Sequence, residues 1–218
     1  MNTGRAGGTV IVKHIALVVV AIAVAIATGI ALPAAASDLS GEYGPLSVFI
    51  DGDRVTGTFF DARGEPDSSG VPPFTCIFLL KGKLDGTRAS IVSWVPGDTA
   101  TIPGELKFAG GQALLSLKEN QAGCATTGDD MTGDPFTETL STRADHWIGV
   151  GMVSARRAVL QPMPAASPRR KPYLVQYDPV VILERKPGWV RVVYDGEKPV
   201  TGWLAQSDLA FDEPPKEP

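Results

Sequence analysis

Histidine is nearly absent, with two in 218 residues. His14 directly precedes an apolar N-terminal run, and His146 comes much later, between Asp145 and Trp147. A zinc hydrolase draws on more imidazole ligands than this, and a Cys–His nucleophile needs a free thiolate beside its base. His146 is therefore read as an exposed polar residue. No G-x-S-x-G elbow occurs, and no glycine-rich stretch follows a strand to open a helix, so neither serine-hydrolase chemistry nor nucleotide binding is predicted. A basic surplus is lacking as well. The formal charge is -4, a balance that excludes the phosphate-neutralising surface that nucleic acid requires. No stretch carries a helix-long stripe of period 3.6. These absences together predict no catalytic residue, no cofactor and no metal, and a chain that is not an enzyme. Carboxylate pairs of the glycosidase type stay open at this level, because their separation cannot be read from sequence. The run Asp129-Asp130-Met131-Thr132-Gly133-Asp134 has oxygen ligands for a hard cation but lacks EF-hand spacing and its closing Glu, and is read as a solvated acidic loop.

What is present begins with Arg5 and Lys13 ahead of an apolar run, Ile15 to Leu32, followed by Pro33 and Ala34-Ala35-Ala36. A helix breaker and small residues after such a run mark residues 1–36 as a signal peptide cleaved after Ala36, with Ser37 as the alternative last residue removed. An uncleaved single-span anchor is the competing reading. No cysteine neighbours the cleavage region, which argues against a lipoprotein. The mature chain is expected to be exported, periplasmic or secreted, with no membrane segment. It keeps roughly 180 residues, enough for one medium domain and one small one. Arg5 and Lys13 leave with the signal, so its net charge is about -6, concentrated in the first domain. Its only cysteines, Cys76 and Cys124, are read as a disulfide, the usual state of an even pair in an oxidising compartment. Two buried free thiols are the alternative.

Short runs of β-branched and aromatic residues alternate with turn signals along the rest. Leu46 to Ile50 and Arg54 to Phe60 flank Asp51-Gly52 as a hairpin. Asp61 to Pro73, rich in Gly, Pro, Asp and Ser, is expected to be a loop. In Phe74 to Leu80, Phe74, Cys76, Phe78 and Leu80 share one face while Ile77 and Leu79 occupy the other. Both faces need cover, so this strand should be central. Ala89 to Val95, Gly104 to Phe108 and Ala113 to Lys118 continue the rhythm, with turns at Lys83 to Gly86, Pro96 to Asp98 and Gly110-Gly111. A loop from Gln121 to Pro135 carries Cys124 and the acidic residues Asp129, Asp130 and Asp134. The fold class is all-β. A sandwich or open barrel is predicted over residues 37–150, and a second, small domain of short strands over residues 151–213, ahead of a disordered tail, 214–218. Trp147 to Val150 would close the first domain and Met152 to Leu160 open the second. Pro162, Pro164 and Pro168 make a stiff loop inside the latter.

The second domain is the most readable stretch. Tyr173-Leu174-Val175, Tyr177-Asp178-Pro179-Val180, Gly188-Trp189-Val190-Arg191-Val192, Thr201-Gly202-Trp203-Leu204 and Ser207-Asp208-Leu209 follow one another with Lys186-Pro187-Gly188 and Asp195-Gly196 as turns. This order resembles the bacterial SH3 domain family, over about 60 residues counted from a first strand near Met152. The resemblance implies a small barrel used for binding, often at the cell wall. Strand alternation sends Val190, Val192 and Tyr194 inward with Leu204, and gathers Trp189, Arg191 and Trp203 on an outer face as candidate ligand-binding residues. Packing of those tryptophans against the fold is the competing reading. The expected function is an envelope binding protein taking peptidoglycan or an extended peptide, its partner a cell-wall component or envelope protein. One alternative is an inhibitor or immunity-type protein acting on a basic wall hydrolase such as a lysozyme. Another is a wall-degrading enzyme with the SH3-like barrel as its targeting module.

Overall fold

The computed structural model describes residues 36–65, 72–166, 172–196, 198–211 and 213. The segment read as a signal peptide, except Ala36, lies outside these residues, as do part of the loop after Asp61, Pro168 and the C-terminal residues read as a tail. The described residues are all-β and form one compact unit carrying two curled sheets.

In the first sheet, β1 (Gly41–Tyr43), β2 (Leu46–Asp51), β3 (Arg54–Arg63), β4 (Phe74–Asp85), β5 (Arg88–Trp94), β6 (Ile102–Ala109), β7 (Gln112–Leu117) and β8 (Phe136–Thr139) follow as an antiparallel meander. A ninth strand, β9 (Thr142–Arg143), pairs with β1 on the far side. The two edge strands, β8 and β9, are thus neighbours in sequence, so the sheet must curl until its edges meet. The link between them makes that closure in hydrogen bonds: Leu140 N–H donates to Gly111 O, between β6 and β7, and Ser141 N–H to Glu42 O in β1. The meander turns tightly because glycine supplies the positive φ that two-residue hairpin turns require, for example Gly52 at φ 61° between Asp51 and Arg54.

Period-two alternation fills the interior. Val48, Ile50, Val55, Phe59, Phe78, Leu80, Ile91, Leu106, Leu115 and Leu117 all point into one core. Phe59 and Phe78, opposite each other on β3 and β4, stack at 4.9 Å, and the edge of Phe136 meets Phe59 at 5.0 Å.

β4 is central, as the sequence predicts, and longer than expected. It continues through Lys81 to Asp85, and the turn falls at Gly86-Thr87 because the ladder with β5 runs to Asp85 opposite Arg88. β3 likewise extends to Arg63, so Asp61 to Arg63 are strand residues rather than loop, held by pairing with Phe74 to Cys76. Beyond Leu79, towards its start, β4 loses β5 as a partner. There the Gln121–Pro135 loop packs on it: the helical turn α1 (Cys124–Thr127) places Cys124 in a disulfide with Cys76, and both cysteines are fully buried.

The second sheet has the order β15-β14-β13-β10-β16, with β10 (Gly149–Val153), β13 (Pro179–Lys186), β14 (Trp189–Tyr194), β15 (Val200–Ala205) and β16 (Leu209–Ala210). A two-stranded ribbon, β11 (Arg157–Val159) with β12 (Tyr173–Val175), stands beside it. Val153, Val180, Ile182, Val190, Val192, Leu204 and Leu209 form its core, and Tyr194 packs against it half-buried. The predicted seam is corrected here. Gly149 and Val150 do not close the first sheet; they pair with Ile182 and Val181 in the second, as one strand with Met152 and Val153. The five residues of β10 are all buried and strand-like, so the crossing between sheets falls earlier, in residues 144–148, where turns interrupt the ladder. The Asp195-Gly196 connection is corrected too. Tyr194 with Val200 is the pair next to the turn, so the connection is wider than a two-residue Asp195-Gly196 turn, and Pro199 ahead of β15 has no N–H to donate to a ladder.

The outer face of β4 and β5 carries Leu79 and Trp94, each 2% exposed, and Met152 of β10 packs on them with Ile77, Val92, Tyr177 and Ala210 around. Burying each large side chain of this layer stabilises the union of the two sheets by about 1.5–3 kcal/mol. The disulfide spans a sequence separation of 48. Replacing Cys76 and Cys124 together by alanine is expected to lower stability by about 4 kcal/mol. Urea unfolding checks it, and a loss below about 1 kcal/mol would mean that the chain-entropy view fails here.

Candidate functional site

The outer face of β13 to β15 holds the residues singled out in sequence. Arg191 stands directly opposite Trp203, and Trp189 opposite Ala205, so the three do share the face away from the core. Their exposures differ. Arg191 is exposed and Trp189 half-buried, whereas Trp203 keeps only 6% of its surface. Two features hold Trp203. Lys186 Nζ sits 4.8 Å from its ring centroid, and its backbone is bridged to Gln161 in both directions by 2.8 Å bonds. Trp203 is thus tied to the chain beyond β11 and is not an open stacking platform. Lys186 also reaches Glu184 at 3.3 Å, which leaves a small polar cover over the indole.

A larger concavity lies at the junction of the two sheets, a cleft of about 970 Å3. The β2–β3 hairpin forms one wall with Phe49, Asp51, Arg54 and Thr56. The other comes from Ile148, β10, Arg185, the stretch Gln206-Ser207 and the chain from Leu209 to Phe211. Phe49 faces it because its neighbours Val48 and Ile50 fill the barrel core. Ile148 is 42% exposed, an apolar side chain left in water at the cleft rim. The Arg185 guanidinium lies 4.8 Å over the ring of Phe211, which holds the cation in place without enclosing it. The cleft therefore offers aromatic and aliphatic surface, a positioned guanidinium, and carboxylates at Asp51 and Glu213. Such a mixture suits a ligand with apolar and polar groups along an extended shape.

Sequence reading missed this cleft. Phe49, Ile148, Arg185 and Phe211 come from four separate segments, and only the packing of one sheet on the other brings them together. The outward position of Phe49 was the one available signal.

The acidic loop divides. Asp130 is exposed, and its carboxylate accepts from Thr132 N–H at 2.9 Å and from Asn120 Nδ2 at 3.1 Å, bonds that hold its pKa below the usual value. Asp134 is exposed. Asp129 is 5% exposed and turned inward, so the three do not converge, and no group of three metal-binding side chains occurs among the described residues. His146 is exposed, as expected. In the second sheet Asp178 is buried; burial raises its pKa, while bonds from Val175 N–H and the Tyr194 hydroxyl pull it down.

No protein-family model, curated protein or solved structure matches the chain.

Separate Trp203→Ala and Arg191→Ala variants test the first patch. Truncating the buried indole is expected to cost about 3 kcal/mol, and truncating the exposed arginine under about 0.5 kcal/mol. Urea midpoints decide it; equal small losses would mean that Trp203 is not part of the packed structure.

Proposed function

We propose that this chain is an exported, non-enzymatic binding protein of the cell envelope, in which a bacterial SH3-like module and the preceding disulfide-bonded barrel together hold a cell-wall component or extended peptide. The observation that carries the reading is the cleft between the sheets. It joins the aromatic surface of Phe49 and Phe211 to a guanidinium fixed by stacking, the combination that takes a sugar face or a peptide backbone with its carboxylates. The five-stranded curled sheet with its accessory ribbon supports the SH3-like part. The disulfide supports export, since such bonds persist in oxidising compartments.

The candidate ligand face moves accordingly, from the Trp189–Arg191–Trp203 patch to the cleft, because Trp203 is already covered. Retention of the purified protein on isolated cell-wall sacculi tests the proposal. Wild type is expected to be retained, Arg185→Ala to weaken retention about tenfold at an unchanged melting temperature, and Phe211→Ala, whose ring also packs on the second core, to weaken it with a lowered melting temperature. Absence of wild-type retention removes the peptidoglycan version. The inhibitor reading rests on the acidic charge, which complements a basic hydrolase; loss of lysozyme turnover with excess protein would favour it instead.

A further inference from the structure

The disulfide-tethered loop carries a buried carboxylate that the proposed binding role does not use. Asp129 follows α1 and keeps 5% of its surface. Its Oδ2 lies 2.6 Å from the Thr127 hydroxyl, and its carboxyl is within hydrogen-bonding reach of the Asp61 carboxyl on β3. Asp61 is also engaged by Arg63, whose Nε and Nη2 both stand 2.8 Å from Asp61 Oδ2. Asp61 also sits opposite Cys76 in the β3–β4 ladder, and Cys76 bonds Cys124 at the start of α1. The carboxyl pair and the disulfide thus fasten the same loop to the same point of the barrel.

Counting protons shows what this contact needs. The Thr127 hydroxyl has two partners, Cys124 O at 2.9 Å and Asp129, but only one proton to donate. Cys124 O accepts only, and an ionised Asp61 accepts only. With Asp129 ionised, the three contacts Cys124–Thr127–Asp129–Asp61 contain a single proton, and two carboxylates face each other. With Asp129 protonated, a second contact gains a proton and the repulsion is relieved. Asp129 is the more buried of the two carboxyls, so the extra proton is placed there.

We propose that a protonated Asp129 set against Asp61 acts as an acid-closed latch, which holds the Gln121–Pro135 loop on the barrel at acidic pH and loosens it as pH rises. Burial first, and then the contact with Asp61, raise the pKa of Asp129 above the usual 3.8, against the pull of the Thr127 bond and the Arg63 charge. Asp61 and Arg63 are the charged groups that act on it among the described residues. A folded-state pKa raised in this way gives stability that is fully present below the unfolded value, near 3.8, and is lost as pH climbs through the raised one. The disulfide keeps the loop attached in both states, so the latch changes its order and not its connectivity.

Carboxyl-carbon NMR of the full chain tests this directly. Asp129 is expected to titrate above the ordinary aspartate range, and the Thr127 and Asp129 amides to lose protection through the same pH interval, after correction for intrinsic exchange. Asp129→Asn, which supplies a fixed donor, is expected to remove that pH dependence. It should also remove part of the fall in urea midpoint between pH 4 and pH 8; buried Asp178 and half-buried Asp208, whose pKa values burial also raises, account for the remainder. An Asp129 carboxyl that titrates at or below the ordinary value, or loop protection that does not follow its titration, overturns the latch. The wild-type titration stands even if the variant fails to fold.

Discussion

Everything in this fold depends on β4 being buried on both faces. Its inward residues, Cys76, Phe78 and Leu80, complete the barrel core, while Ile77 and Leu79 look outward onto the layer around Met152. A strand with one solvated face would have left two independent barrels joined by a short crossing. Here the outer face is apolar too, and the hydrophobic effect removes it from water by laying the second sheet against it. The junction cleft is a by-product of that packing: two curved surfaces touch along a line and diverge beside it, and side chains at the lips are shared between them.

The disulfide answers a different need. The start of β4 has a strand partner on one side only, and an unpaired edge inside a barrel wall leaves backbone groups unsatisfied. The loop carrying α1 covers this edge. Gly123, at φ 86°, presses so close to Thr75 O that a Cβ would collide with it, so the covering backbone lies almost on the strand. Cys76–Cys124 fixes the loop there, and Asp61, Asp129 and Thr127 make the polar side of the same seal.

Much of this was legible in the chain. Alternation in Val48 to Ile50, Phe74 to Leu80 and Trp189 to Tyr194 reveals strand and inward face together, because a period of two survives any tertiary context. The cysteine pair was legible from count and setting. What escaped reading depends on contacts between distant segments. The extension of β3 to Arg63 is dictated by its partner strand, against the local polarity of Asp61 and Arg63. Trp203 could not be told from an exposed tryptophan, since the partners that hold it, Gln161 by a backbone bridge and Lys186 over the ring, lie elsewhere in the chain. Asp129 looks identical in sequence to its exposed neighbour Asp130, and only the fold separates them.

The closure of the first sheet carries a consequence for the order in which the chain can fold. Successive hairpins need only local contacts, so β2 to β7 can zip as they appear. Joining β1 to β9 is another matter: Ser141 Oγ donates to Glu42 O across a separation of 99 residues, and no shorter route connects those edges. A polypeptide emerging amino end first therefore holds its earliest strand, β1, without its final neighbour until the last strand of the same sheet arrives. The barrel exists as an open, sticky ribbon during that interval, and the lateral edge that would invite foreign strands is sealed only when Thr142 and Arg143 come into place.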